Sequence, residues 1–427
     1  MSLFSGLRPL LTRKMLICVF TGFSSGLPLF LLINLVPAWL TKNGLNLATI
    51  GLFTLTQLPF TWKFLWAPLL DRYAPPLGRR RGWMLITQLG LLCLIGILGG
   101  FDPTTQTVTV AVLAILIAFF AATQDIALDA FRREILLDAE LGIGNAVHVN
   151  AYRIAGLVPG SLSLILADRL PWSEVFWITA LFMIPGMLLA LNVKEPEVAK
   201  GLPRTFKAAC VEPFREFLGR QGWQNALFIL AFIFLYKLGD SLATALSTAF
   251  YLKMGFSMPD IGLIAKHAGL WPAVIGGMVG GLWMIKIGIN RALWVFGVVQ
   301  LVTILGFAWL AWLGPFTEGG ITLENRLALA LVISAEYLGV GLGTTAFTAF
   351  IARATHPAYT ATQFALFTSL AAMPRSFINA TAGGLVEYMG WVRFFFFCTL
   401  LAVPGMLLLF KVAPWGEKVP RQEANEQ

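Results

Sequence analysis

Nine ionisable residues stand inside long apolar stretches of this chain: Lys63, Arg153, Lys237, Lys266 and Arg375 on the basic side, and Asp125, Asp129, Asp240 and Glu336 on the acidic side. Asp125 and Asp129 are four positions apart, which sets both carboxylates on one helix face with Gln124 beside them. Two carboxylates that close oppose each other's ionisation, the property needed of a group that takes up and releases a proton. The plainer reading of Asp129 is a pairing with Arg72, Arg132 or Arg133 that fastens the end of its helix. Lys237 and Asp240 lie three apart and neutralise each other, either as a fixed buried bridge or as one that opens to a substrate. Lys63 and Lys266 either reach the boundary of their apolar stretch or contact a cargo. Five cations against four anions favour a cargo of net negative charge.

The other reactive side chains form no constellation. His148, His267 and His356 share no metal-ligand spacing, and Cys18, Cys93, Cys210 and Cys398 are scattered singly, so neither a metal nor a cofactor is expected. There is no H-E-x-x-H pair and no His–carboxylate set on one apolar stretch, so an enzyme is not expected either.

The elements that must carry these charges follow from composition. Of 427 residues, 57% are hydrophobic and 12% charged, with mean hydropathy +0.76. Soluble domains have about 45–50% apolar and about 25% charged residues. A soluble enzyme, a disordered chain and a nucleic-acid binder are therefore excluded. Runs long enough for a helix to cross the bilayer fall near 15–40, 47–70, 83–101, 107–131, 144–168, 173–193, 223–252, 259–285, 291–313, 323–352, 360–387 and 391–412. The expectation is an all-α, polytopic membrane protein of twelve transmembrane helices. The first run exceeds a secretory leader's apolar core and is expected to be a retained helix.

With both termini in the cytoplasm, most Lys and Arg, and hence the net charge of +9, fall in cytoplasmic loops, as orientation by positive charge requires. The longest polar interval divides the spans six and six. This predicts an N-terminal six-helix bundle over 1–193, a cytoplasmic linker over 194–222, and a C-terminal six-helix bundle with a short tail over 223–427. Phe206, Phe214, Phe217 and Leu218 of the linker are placed to lie on the bilayer surface.

Ile184-Pro-Gly-Met-Leu-Leu-Ala-Leu-Asn-Val193 recurs as Val403-Pro-Gly-Met-Leu-Leu-Leu-Phe-Lys-Val412, 219 residues later. The same offset pairs Trp172 with Trp391 and Ala130-Phe131 with Ala349-Phe350. Duplicated bundles in parallel repeat explain this register. On that overlay Arg153 and Arg375 differ by three positions, whereas Asp125 and Asp129 meet Thr344 and Thr348. An arginine from each half thus approaches the middle, while the acidic pair belongs to one half only. Charge within the hydrocarbon costs at least about 2.5–3.5 kcal/mol per group, so these groups are expected to face a central cavity.

Between the second and third runs the chain reads Asp71-Arg72-Tyr-Ala-Pro-Pro-Leu-Gly-Arg79-Arg80-Arg81-Gly82. It resembles the D-R-x-G-R-R loop signature of the major facilitator superfamily, with an insertion at the two prolines. The resemblance implies a gate latch in which Asp71 pairs with Arg132 or Arg133.

Longer stretches narrow the match: Gly26-Leu-Pro28, Lys63-Phe-Leu-Trp-Ala-Pro68, Gln124-Asp-Ile-Ala-Leu-Asp129-Ala, Tyr152-Arg153, Tyr236-Lys-Leu-Gly-Asp240 and Ala361-Thr-Gln-Phe-Ala-Leu366. Together they resemble the AmpG family of muropeptide permeases of Gram-negative inner membranes. That resemblance implies proton-driven import of N-acetylglucosaminyl-1,6-anhydro-N-acetylmuramic acid and its peptides for cell-wall recycling, which in some bacteria feeds β-lactamase induction. It places the family's acidic motif on Gln124, Asp125 and Asp129, and adds Gln124 and Gln363 to Lys63, Arg153, Lys237, Asp240, Lys266, Glu336 and Arg375 as substrate-facing residues. The partners implied are an anionic sugar-peptide, protons and lipid, with no nucleic acid, and a monomer is expected. The nearest alternative is a related facilitator for another anion, such as a siderophore or an acyl-nucleotide compound.

Overall fold

The computed structural model describes residues 12–45, 49–50, 53–196, 206–316, 321–373 and 378–416. Among them every regular element is helical. The α-helices are α1 (Arg13–Phe30), α2 (Val36–Lys42), α3 (Leu58–Trp62), α4 (Ala67–Arg72), α5 (Arg81–Leu98), α6 (Thr107–Ile135), α7 (Leu141–Ala155), α8 (Ser163–Leu166), α9 (Trp172–Leu181) and α10 (Ile184–Asn192). They continue with α11 (Phe206–Leu235), α12 (Leu238–Ala245), α13 (Ser247–Lys253), α14 (Met258–Leu313), α15 (Leu323–Ala354), α16 (Thr360–Met373) and α17 (Ala382–Val412).

Local chemistry sets where these helices start and break. The Thr12 hydroxyl accepts the Met15 N–H at 3.3 Å and caps α1. Pro28 lies inside α1, and a π-helical turn follows at Leu31–Leu35, which relaxes the ladder that a proline interrupts. Pro59 and Pro68 sit in the first turns of α3 and α4. They divide the second apolar run into a 3-10 turn (Phe53–Gln57), α3, another 3-10 turn (Lys63–Leu65) and α4, where the sequence suggested one span. Gly222, Gly288 and Gly390 have φ of 72°, 78° and 75° and interrupt α11, α14 and α17. Among the described residues, nine helical segments are long and apolar enough to cross a membrane.

The chain forms two compact units, Met1–Arg220 with Ile351–Met373, and Gln221–Phe350 with Pro374–Gln427. In the first unit α1 and α7 approach closely. A Cβ at Gly22 would strike the His148 carbonyl and one at Gly26 the Tyr152 carbonyl, so two glycines one turn apart meet two carbonyls one turn apart. Trp39 packs on Phe176 at 5.0 Å, and α4, α6 and α16 share a second cluster containing Leu70, Phe131 and Ala361. In the second unit Phe250, Phe307, Trp391 and Phe395 form an aromatic core, with Phe307 stacked on Phe395 at 5.4 Å. The 219-residue offset also pairs Phe176 with Phe395. Each packs on the tryptophan of its own unit, at 6.2 Å and 5.9 Å.

Candidate functional site

Among the described residues three charged clusters emerge, two in the first unit and one in the second. The first is built on α6, whose face carries Asp125, Asp129 and Arg132 over two turns. The Ser25 hydroxyl of α1 donates to Asp125 at 2.6 Å. Asp129 accepts from Arg132 at 2.8 Å and lies 3.9 Å from Lys63 Nζ, which the 3-10 turn after α3 buries beside it. The field of Lys63 also reaches Asp125. Arg132 is locked from behind by Asn145 Oδ1, at 3.0 Å, and lies over the Phe364 ring. Asp125 therefore has a hydroxyl as its hydrogen-bond partner, whereas Asp129 sits between two cations. Both remain partly exposed.

Gln124 has a different task. Pro28 brings no N–H to the carbonyl of Ser24, four residues earlier, and the Gln124 amide donates to that oxygen at 2.6 Å. Gln124 is fully buried there, behind the carboxylates rather than among them. The run Gly22-Phe23-Ser24-Ser25-Gly26 has the spacing of a nucleophile elbow, but it lies inside α1 with helix on both sides, so the strained strand-to-helix turn is not formed there.

The second cluster joins α4, the loop before α5, the end of α6 and the start of α16. Asp71 accepts from Arg80 at 2.8 Å and lies 3.9 Å from Arg79. It also accepts the N–H groups of Ala361 and Thr362, at 3.2 and 2.9 Å, and the Thr362 hydroxyl at 2.8 Å, so it caps the N-terminus of α16. Arg80 reaches Glu134 at 2.7 Å, the Thr360 hydroxyl at 2.6 Å and the Leu70 carbonyl at 3.1 Å. Burial opposes the Arg80 charge, yet Glu134 and then Asp71 more than offset it and hold the guanidinium above its ordinary range. Arg79 is held below, first by burial and then by the Arg80 charge.

The expected pairing of Asp71 with Arg132 or Arg133 is not the one formed. The Pro75-Pro76 insertion folds the loop back, returning Arg79 and Arg80 to Asp71, while Arg132 is taken by Asp129 and Arg133 by Asp138 and the Ala352 carbonyl. Arg72 is exposed and lies against the Tyr73 ring. Glu134, Thr360 and Thr362 were missed in the sequence, where Glu134 read only as one more charge at the inner end of a span. Gln363 was expected to face substrate. It instead donates to Glu216 and to the Pro213 carbonyl, at 2.7 and 2.9 Å, and accepts the His356 N–H.

The third cluster lies at the break between α11 and α12. Lys237 pairs with Asp240 at 2.7 Å. Glu336 of α15 is fully buried, and its polar neighbours among the described residues are Asp240, Thr303 and Lys237. Tyr236 stacks on Phe347 at 5.6 Å and donates to the Leu293 carbonyl, which fixes the helix end presenting Lys237. Arg153 lies half-buried on α7 of the first unit. Arg375 and the Lys266 side chain lie outside what the structure describes.

Known proteins share this sequence and this architecture. The sequence model of the Major Facilitator Superfamily matches residues 18–379. An uncharacterized protein of Haemophilus influenzae is 55% identical over 94% of this chain and 95% of its own. The anhydromuropeptide permease of Escherichia coli K12 is 40% identical over 92% of this chain and 78% of its own. In three dimensions the human organic anion transporter MFSD10 superposes with a TM-score of 0.69 at 17% identity, over 93% of this chain and 99% of the transporter. A domain-wide sequence match and relatives along nearly the whole chain leave one assignment: the chain belongs to the major facilitator superfamily, as a permease of the AmpG type.

Proposed function

We propose that this chain carries N-acetylglucosaminyl-1,6-anhydro-N-acetylmuramic acid and its peptides from periplasm to cytoplasm together with protons. It is a transporter, not an enzyme, and a multi-pass protein of the bacterial inner membrane. The observation that carries the cargo is its kinship, over nearly its whole length, to a protein named for transporting anhydromuropeptides. In this reading the chain crosses the bilayer twelve times, with both termini in the cytoplasm and six-helix bundles at 1–193 and 223–427 joined by the linker at 194–222. Three more spans join the nine long ones: the proline-broken run 53–72, a second span gained where Gly288 divides α14 in two, and α16.

Asp125 is the proton carrier. Its hydrogen bond comes from Ser25, a neutral hydroxyl, and it stays partly exposed, so a proton can reach it. Asp129, clamped between Arg132 and Lys63, senses the charge of its neighbour and holds the helix end. Arg153, Arg375 and Lys266 attract cargo carboxylates, and the Lys237–Asp240 pair with Glu336 forms a polar wall that exchanges partners when cargo arrives. Asp71, Arg80 and Glu134 fasten α16 on the cytoplasmic side.

The test is uptake of anhydromuropeptide into proteoliposomes under an inward pH gradient, with the intact protein and with Asp125→Asn. Gradient-driven accumulation is expected in the first and lost in the second, while exchange of labelled for unlabelled cargo continues in both. Well-folded protein that takes up no muropeptide would end the cargo assignment. Undiminished accumulation in Asp125→Asn would end the proton assignment.

A further inference from the structure

The segment 211–220 of α11 has two unlike faces. One is fastened to α16 and the turn before it, within the first unit. Glu212 accepts from the Tyr359 hydroxyl at 3.2 Å, Gln363 bonds Pro213 and Glu216, Phe217 packs edge-on against Phe367 at 5.2 Å, and Arg220 donates to the Ala354 carbonyl at 2.8 Å. The other face is Val211, Phe214, Arg215 and Leu218, which line one shallow groove. Its three apolar side chains are 45%, 41% and 46% exposed. The spacing of 211, 214, 215 and 218 is that of a single helical stripe.

We propose that this stripe is a docking face for anionic phospholipid of the cytoplasmic leaflet. The inference rests on the topology given above, which places the linker in the cytoplasm. Only Gln221 and Gly222 stand between Arg220 and Trp223, in the first turn of the membrane-spanning segment Gly222–Lys253, so the chain itself ties the stripe to the start of that span. Trp223 is 68% exposed at the junction, the residue type that seats helices at the headgroup level. An apolar stripe held at that level meets the boundary between headgroups and acyl chains, where amphipathic helices lie. Arg215, exposed among Phe214 and Leu218, supplies the charge that an anionic headgroup neutralises. Because the opposite face of the same helix holds Tyr359, Gln363 and Phe367, lipid seated on the stripe steadies the end of α16 that Asp71 caps.

Hydrogen–deuterium exchange of the full chain tests this, in nanodiscs of phosphatidylcholine alone or with phosphatidylglycerol added. Amides of residues 211–219 are expected to exchange about fivefold more slowly when the anionic lipid is present, the effect of one basic residue near such a surface. Arg215→Gln should erase that difference, and Phe214→Gln with Leu218→Gln should remove protection in both lipids. Equal exchange in the two lipids would overturn the proposal, as would protection that depends on a second copy in the disc. Labelling of Asp102→Cys from outside intact cells by an impermeant thiol reagent separates the two possible failures. If that site is reached and the lipid effect is missing, this inference fails alone; if it is reached only after lysis, the topology fails with it.

Discussion

Pro28 removes one N–H from α1 in the middle of an apolar layer, and the oxygen left open on Ser24 is filled by Gln124 from the neighbouring helix. An unpaired buried acceptor costs about 1–3 kcal/mol, so Gln124→Leu is expected to lower folding stability by that amount, read as a drop in the thermal midpoint of the detergent-solubilised protein. At Arg80 the stakes are larger. Arg80→Ala takes the closer guanidinium from the buried Asp71 and Glu134 carboxylates; loss of one partner from a buried pair costs about 3–5 kcal/mol, and Arg79, 3.9 Å from Asp71 and 3.0 Å from Glu134, holds the expectation to the lower end of that range. Arg72→Ala, at an exposed position of the same loop motif, is expected to shift stability by no more than about 0.5 kcal/mol. Comparing the two variants by thermal unfolding checks that Arg80, rather than Arg72 of the same loop, carries the cluster around Asp71. The residue types of these clusters were legible in the sequence, because charge in an apolar run is costly and conspicuous. Their partners were not: a hydrogen bond from Gln124 to a carbonyl a hundred positions away leaves no spacing to read.

The helices themselves were legible where hydrophobicity alone decides them, as in α5, α6 and α9. They were not where proline divides an apolar run, as between Phe53 and Arg72, because hydropathy does not record which turns are 3-10. Close packing of α1 on α7 follows from Gly22 and Gly26, whose spacing was visible but whose counterpart surface, the His148 and Tyr152 carbonyls, was not. At Gly26 two effects oppose each other. Alanine would favour the helix by roughly 1 kcal/mol through propensity, but its Cβ would press on the Tyr152 backbone, which cannot rotate aside as a side chain can. Overpacking of this kind costs about 1–3 kcal/mol. Gly26→Ala is therefore expected to reduce the yield and thermal midpoint of folded protein. An increase in midpoint would mean that α1 and α7 are free to separate.

For the whole molecule, the balance of charge moved per cycle decides which part of the proton gradient drives uptake. The proposed minimal cargo, the disaccharide without its peptide, carries one carboxylate, and a single proton on Asp125 entering with it leaves no net charge to cross the bilayer. The membrane potential acts on net charge at about 2.3 kcal/mol per elementary charge per 100 mV, and so has nothing to act on in that cycle. A potassium diffusion potential imposed on proteoliposomes at equal pH is accordingly expected to produce no accumulation of the disaccharide, while an inward pH gradient without potential produces it. Peptide-bearing cargo adds carboxylates and amines, so its dependence on potential follows the sum of cargo and proton charges. One preparation assayed with both cargoes reads that sum directly. Accumulation of the disaccharide driven by potential alone would require more than one proton per cycle, and the second carrier would have to be sought among Asp129, Asp240 and Glu336, the other acidic groups set within the apolar spans.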